Sequence, residues 1–206
     1  MSGAGPVSAT FGVTFSNLSI INIRQEFEQY LSLLHDPQFR ASLLHMPGPV
    51  ELPGLTWLGL PHHALTYMLR HAILGMEACV NAAVNEEAHV RQMMTPEISA
   101  YLSDPFSAPG RRGTAEAFYN NLPSLLDPRH ALRCVDEALW ARTRLFYKEV
   151  RNPLFHGYQL YHASADEVIP LFGLLADVYV WMDSWWQAFP MMRLNNRYLQ
   201  RPPDEA

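Results

Sequence analysis

The chain has 206 residues, 49% of them hydrophobic and 17% charged; this composition excludes a disordered protein, and the length allows a sizeable core without disulfides or a structural metal. The formal net charge of −5 excludes a general nucleic-acid coat, because non-specific binding to phosphate depends on clustered Lys and Arg. More apolar side chains are present than one small core consumes, and we expect the surplus to form a subunit interface.

The first sixty residues predict an N-terminal extension, an arm followed by one or two helices, packed on the rest of the protein. A helix ending near His35 carries one apolar face. That face consists of Phe27, Tyr30, Leu31 and Leu34. Asp36 and Pro37 predict a cap and a first helical residue, so a second short helix should follow. The Pro- and Gly-rich stretch 46–61 predicts a connector laid over the core.

The strongest helical pattern runs from His62 to about Met94, and its wide apolar stripe predicts packing on more than one neighbour. Asp127 and Pro128 predict the start of another helix, which continues toward residue 150. A last helix is expected from about 165 to 189. Its aromatic residues, expected in the core and a dimer interface rather than in a base-stacking platform, are Tyr179, Trp181, Trp185 and Trp186.

These patterns predict an all-α protein. Residues 61–190 should form an up-and-down helical bundle of four to five main helices, with residues 1–60 as its N-terminal extension and 191–206 as a C-terminal tail. Cys79 and Cys134 fall inside helical apolar patterns, so we expect neither a disulfide nor a cysteine metal site. The N-terminus lacks the features of a signal peptide, and a cytoplasmic protein without membrane contact is expected.

One stretch, RNPLFHGY at 151–158, interrupts the helical pattern. Pro153 has no N–H, and its ring crowds the carbonyl at residue 149, so the helix should kink or restart there with Asn152 as its cap. On a straight helix Arg151 and His156 would lie about 140° apart. A kink together with the long arginine side chain could bring the two groups toward one spot, or a second subunit could supply the other half.

Arginine and histidine at one spot suit the cleavage of RNA without a metal. Histidine exchanges protons near neutral pH and can help the ribose 2′-hydroxyl attack, while arginine stabilises charge on the phosphoryl oxygens. The product would be a 2′,3′-cyclic phosphate. Cationic residues are concentrated near this stretch, and they could form a local basic groove. They are Arg111, Arg112, Arg129, Arg133, Arg142, Arg144, Lys148 and Arg151.

RNPLFH, residues 151–156, resembles the Arg-x-x-x-x-His motif of HEPN domains, including the asparagine that commonly follows the arginine. AILGMEACVNAAV, residues 72–84, is similar to the first long helix of that family, where a glutamate and an asparagine recur at the spacing of Glu77 and Asn81. The resemblance covers roughly residues 60–190. It implies a homodimer whose motif residues meet in one cleft, and a metal-independent ribonuclease without cofactor that acts as a toxin or in phage defence.

The same resemblance assigns roles to residues. Arg151 and His156 would be catalytic, and Asn152 would orient or contact phosphate. Apart from the resemblance, we expect Glu77 to make a supporting contact with Arg151. His156-Gly157-Tyr158 resembles the ending of HEPN toxins paired with a nucleotidyltransferase antitoxin, in which the tyrosine accepts adenylylation. The partners implied are an RNA substrate, a second copy of the chain and an antitoxin or nucleotidyltransferase. The alternative is a non-catalytic HEPN-like module that binds a nucleotide or a protein.

Structural interpretations remain open for each of these residues. The 151–156 motif also fits a capped, kinked helix at a subunit contact, and Tyr158 fits an interface tyrosine. Glu77 could pair locally with Asn81 instead of acting in catalysis. Three histidines suggest a metal, yet no carboxylate stands at a matching spacing, so no metal site is expected. They are His62, His63 and His71.

Overall fold

The structure is a computed structural model that describes residues 22–53, 55–57, 59–105, 113–156 and 164–186. Tyr158, the predicted arm and the predicted tail lie outside these residues. The described chain forms an all-α helical bundle, which confirms the predicted fold class. Its elements are α1 (22–35), α2 (Pro37–His45), β1 (Val50–Leu52), β2 (Leu55–Trp57), α3 (Leu60–Val90), α4 (Pro96–Ser103), α5 (114–124), a 3₁₀ turn (Pro128–His130), α6 (Leu132–Val135), α7 (137–155) and α8 (Ala165–Trp185).

Helix α3 forms the centre of the bundle because its apolar stripe is wide enough to contact several neighbours. The predicted stripe is buried throughout. Helix α8 packs along α3, and α1 joins them through Phe27, whose ring lies 5.7 Å from that of Phe172. At Gly75, helices α1 and α3 approach so closely that a Cβ atom would lie 2.7 Å from Ile23 Cγ2. The predicted N-terminal extension therefore contributes α1 to the same core.

Helix α2 begins where its sequence predicts. Asp36 caps α2 by accepting a hydrogen bond from the Gln38 backbone N–H at 2.8 Å, and Pro37 stands in the first turn. The predicted connector 46–61 differs from expectation in containing a small antiparallel hairpin, β1 and β2. Gly59 closes it with φ of +88°, where a Cβ would lie 2.6 Å from the Gly48 carbonyl carbon, so glycine is required there.

The predicted start of the long helix at Asp127 is wrong. Asp127 caps only a 3₁₀ turn, and Ala131 then leaves helical geometry, with φ of −53° and ψ of 133°. Helix α7 begins at Glu137, after Asp136 accepts a hydrogen bond from the Leu139 backbone N–H at 2.8 Å. The Asp-Pro pattern thus identified the beginning of a turn, and a second aspartate nine residues later begins the helix.

Two π-helical segments interrupt otherwise regular helices, and each ends two residues before a proline. The segment Ala117–Asn121 precedes Pro123 in α5, and Tyr147–Arg151 precedes Pro153 in α7. A proline offers no N–H to the carbonyl four residues earlier and crowds it, so a local change to bonds five residues apart relieves the clash. Pro170 in α8 is accommodated without such a segment.

The π segment in α7 replaces the predicted restart at Pro153. The Asn152 backbone N–H donates to the Tyr147 carbonyl, five residues earlier, and Asn152 has helical backbone angles. The prediction that Asn152 caps a new helix is therefore wrong, because the helix never stops there. The chain continues in helical geometry through Phe155.

The C-terminal helix α8 begins with a capping box formed by Ser164 and Glu167. Its predicted aromatic residues are all buried within the single chain, which leaves none of them for a dimer interface or a base-stacking platform. They are Tyr179, Trp181, Trp185 and Trp186. Cys79 is buried and Cys134 is exposed, and both are free thiols. No described helix combines the length and apolarity needed to span a membrane.

Candidate functional site

Arg151 is fixed by a two-pronged ion pair with Glu77. Its Nε lies 3.1 Å from Glu77 Oε1, and its Nη2 lies 3.2 Å from Oε2. The carboxylate side chain is 8% exposed and the arginine 14%, so the pair is largely shielded from solvent. The guanidinium also stacks 4.6 Å above the Phe155 ring. Glu77, on α3, thus orients the side chain that the sequence identified on α7.

A chain of hydrogen bonds extends this ion pair into the core. The Tyr147 hydroxyl donates to Glu77 Oε1 at 2.8 Å, and the Tyr119 hydroxyl lies 2.6 Å from that of Tyr147. A carboxylate can only accept hydrogen bonds. Tyr147 therefore donates its hydroxyl hydrogen bond to Glu77, and Tyr119 donates to the hydroxyl oxygen of Tyr147. Burial raises the pKa of both tyrosines well above the ordinary value, which keeps both hydroxyls protonated as donors.

The two tyrosines come from the two π segments. Tyr119 lies in the segment of α5, and Tyr147 lies in that of α7. Both side chains are fully buried or nearly so. The π geometry therefore places one hydroxyl from each helix on a path that ends at the carboxylate of α3, and three helices share one polar network inside the core.

His156 ends α7 and is exposed. Its backbone N–H donates to the Asn152 carbonyl at 3.0 Å, and the last turn is also tied to α3 by Arg70 Nη2, which donates to the Leu154 carbonyl at 2.7 Å. Within the described part of one chain, the imidazole forms no hydrogen bond or ion pair, and nothing links it to Arg151. Arg151 is directed to α3, while His156 is open to solvent.

Asn152 is half-buried and lines a cleft of about 830 Å³ between α5, α6 and α7. The cleft also contains Arg133, whose guanidinium donates to Glu116 Oε1 at 2.9 Å. The second Glu116 oxygen accepts from Asn120 Nδ2 at 3.2 Å. The structure therefore separates the predicted motif into three surroundings: Arg151 in a largely shielded ion pair, Asn152 at a cleft, and His156 at the surface.

Other candidate residues have different partners from those considered for them. Asn81 donates to the Leu102 carbonyl at 3.0 Å, which holds the end of α4, and it is not the partner of Glu77. His62 lies 3.3 Å from the Thr66 hydroxyl, and His71 lies 3.2 Å from the Tyr30 hydroxyl. Among the described residues, no group of three or more His, Cys, Asp or Glu is arranged to hold a metal.

The sequence reasoning did not identify Tyr119 and Tyr147 as parts of this network. Tyr147 could have been found, because it lies four residues before Arg151 and so on the same helix face. Tyr119 has no comparable signal, since it lies on another helix and twenty-eight positions before Tyr147 in the sequence.

A scan against protein-family models, a search of the curated proteins and a search of the solved structures each found no match to this chain. The resemblance to HEPN domains therefore stays a prediction from the residues at 151–156 and 72–84.

Proposed function

We propose that this protein is a HEPN-type, metal-independent endoribonuclease that acts as a homodimer, with Arg151 and His156 as its catalytic residues. The observation that carries this proposal is the arrangement at the end of α7. There a guanidinium is oriented by a buried carboxylate, five residues before an exposed imidazole. An exposed imidazole is accessible to a substrate as large as RNA. A guanidinium that is already held in one orientation does not have to be ordered when negative charge develops on the phosphate in the transition state.

The reaction follows from the chemistry of the two groups. His156 accepts the proton of a ribose 2′-hydroxyl, whose oxygen attacks the adjacent phosphorus. The bond from phosphorus to the 5′-oxygen of the next nucleotide breaks, and that oxygen takes a proton from water. Arg151 stabilises the charge on the non-bridging oxygens, and Glu77 acts as a positioning residue. The products are a 2′,3′-cyclic phosphate and a free 5′-hydroxyl.

A second subunit has a specific part in this proposal. Within one chain Arg151 contacts Glu77 and His156 is at the surface, so the shared cleft would form where the ends of two α7 helices meet. Sedimentation of the purified protein would measure the oligomeric state. A monomer at the concentration at which RNA is cleaved would contradict this part of the proposal.

The experiment that tests the activity is RNA cleavage in the presence of EDTA. We expect the wild-type protein to leave 2′,3′-cyclic phosphate ends, and His156→Ala and Arg151→Ala to abolish cleavage. His63→Ala and Arg142→Ala are matched controls, since both side chains are exposed and outside the motif. Cleavage that survives both motif substitutions, or that falls equally in the controls, would remove the assignment.

A toxin or phage-defence role is the biological setting that fits such an activity. Induced expression should arrest cell growth, and His156→Ala should restore it. Tyr158 would be the site at which a partner nucleotidyltransferase adds an adenylyl group. Mass spectrometry of the co-expressed protein checks this, and an unmodified Tyr158 would argue against that partner.

One observation favours a second candidate, a non-catalytic module that binds a nucleotide or a protein. Glu77 already engages two of the three guanidinium nitrogens of Arg151, which resembles a structural ion pair. Thermal stabilisation by a nucleotide, together with no cleavage of RNA at any protein concentration, would favour this candidate over the ribonuclease.

A further inference from the structure

We propose that the cleft between α5, α6 and α7 binds single-stranded RNA, with Arg144 and Lys148 on its phosphates and Trp140 against a base. The proposal rests on the proposed function only in taking the bound strand as the substrate. Four residues of α7 that line the cleft follow one another at intervals of four. They are Trp140, Arg144, Lys148 and Asn152.

This interval produces a row along one face of α7. Successive steps of four drift around a regular α-helix, but the π segment at 147–151 takes up one additional residue and so offsets that drift. The whole row is about 17 Å long. That length exceeds a single nucleotide and suits a strand of several nucleotides. The row ends at Asn152, one turn before His156, so a strand lying along it leads toward the proposed catalytic histidine.

The charges along the cleft favour an anion. The Arg144 side chain is exposed and forms no hydrogen bond or ion pair with any residue in the described ranges. Lys148 pairs with Glu149 at 3.0 Å, but both side chains are mostly exposed and such a pair is weak, so the ammonium can turn to a phosphate. Arg133 adds a third cation on the opposite side. Of the described residues that line the cleft, one carries a carboxylate, Glu116, and it is already engaged by Arg133.

Trp140 distinguishes a single strand from other anions. It is partly exposed and packs against the core, so its indole is held in place while part of it remains accessible from the cleft. Unpaired bases stack on such aromatic rings, whereas the bases of a duplex are already stacked on one another. A row of cations that begins with a tryptophan therefore matches the combination used for single strands.

The test is fluorescence anisotropy with a labelled twelve-nucleotide single-stranded RNA in EDTA, using His156→Ala protein so that the probe stays intact. We expect the added double substitution Arg144→Gln, Lys148→Gln to weaken binding at least tenfold. It should also reduce the slope of log K against log salt by about 1.4, since each cation displaces about 0.7 counterion from a single strand. Trp140→Leu should weaken binding about tenfold with an unchanged slope.

Arg142→Gln is the matched control. Arg142 is on the same helix as Arg144 and is likewise exposed. It pairs with Asp177 on α8 and lines a different pocket. It should leave binding unchanged. Equal binding by all variants, equal weakening by Arg142→Gln, or tighter binding of a mononucleotide or a duplex of the same length would overturn the proposal.

The outcome for the cleft is separable from the outcome for the ribonuclease. Binding through Arg144 and Lys148 by a wild-type protein that cuts no RNA would keep the cleft and remove the proposed function. RNA cleavage that is unchanged in the Arg144→Gln, Lys148→Gln protein would keep the function and remove the cleft.

Discussion

Tyr147 donates its hydroxyl proton to Glu77 Oε1, the same oxygen that accepts from Arg151 Nε. One carboxylate oxygen therefore joins a buried tyrosine to a guanidinium that is partly open to solvent. This relationship makes the orientation of Arg151 depend on residues in the core, and it can be tested without knowledge of a substrate.

The ion pair itself is the first test. Glu77→Gln leaves the shielded guanidinium without its countercharge, and Arg151→Met leaves the carboxylate with Tyr147 alone. Each change should lower the free energy of unfolding by about 3 kcal/mol, and the double variant should lose less than the sum. Urea unfolding measures all three. Arg142→Met, which breaks the exposed pair with Asp177, should cost under about 0.5 kcal/mol. Strict additivity would show that the pair is not coupled.

The hydroxyl of Tyr147 is the second test. Tyr147→Phe removes one donor from Glu77 and leaves the buried Tyr119 hydroxyl without its acceptor. We expect a loss of about 2 kcal/mol, since a buried polar group without a partner keeps its desolvation cost. Tyr101→Phe is the control, because that hydroxyl bonds to Glu97 at the surface. Equal, small losses in both variants would count against the buried network.

The start of α7 gives a third prediction. Asp136→Ala removes the acceptor of the Leu139 N–H and should cost about 1 kcal/mol, whereas Asp136→Asn keeps an acceptor and should cost a few tenths. Thermal unfolding followed by circular dichroism distinguishes the two. If alanine and asparagine behaved alike, the cap would not be the source of the effect.

Glu86 predicts a dependence of stability on pH. Burial raises the pKa of its carboxyl from 4.5 to about 7, and the neighbouring Glu87 carboxylate adds to the rise. Between these values the unfolded chain loses the proton first, so the native state loses stability as pH rises from about 4.5 to 7. Glu86→Gln removes this loss and should stabilise the protein by about 3 kcal/mol at pH 8, with little gain near pH 4.5.

Urea unfolding between pH 4.5 and 8 provides the measurement for Glu86. Glu51→Gln is the control, because Glu51 is exposed on β1 and its replacement should leave the pH profile unchanged. The same profile in the wild type and in Glu86→Gln would show that Glu86 ionises in the folded protein much as it does in the unfolded one.

Much of the bundle could be predicted because its signals are local. The apolar faces of α1, α3 and α8 follow from a spacing of three and four, and the cap at Asp36 needs only two neighbouring residues. A supporting contact between Glu77 and Arg151 was expected from the sequence, and the structure contains it. Its part in catalysis remains a prediction.

The remaining features depend on contacts between distant residues or on small changes in helix register. Periodicity locates an apolar face, but it does not show where a helix takes up one additional residue, so neither π segment was expected. The bond between Tyr119 and Tyr147 requires both segments in place. At Asp127 the sequence offered a correct capping signal for the wrong element, because a turn and a helix begin with the same residues.

The π segment before Pro153 has a further consequence for α7. A π segment is equivalent to a regular α-helix into which one residue has been inserted. Deleting Val150, which is only partly exposed, together with a Pro153→Ala substitution that removes the proline clash, would let the helix become regular while the flanking turns keep their angular phase. Leu154 would stay buried and its carbonyl would still meet Arg70. A stably folded deletion variant would thus identify this segment as the place where α7 can shorten by one residue, and its unfolding would rule that out.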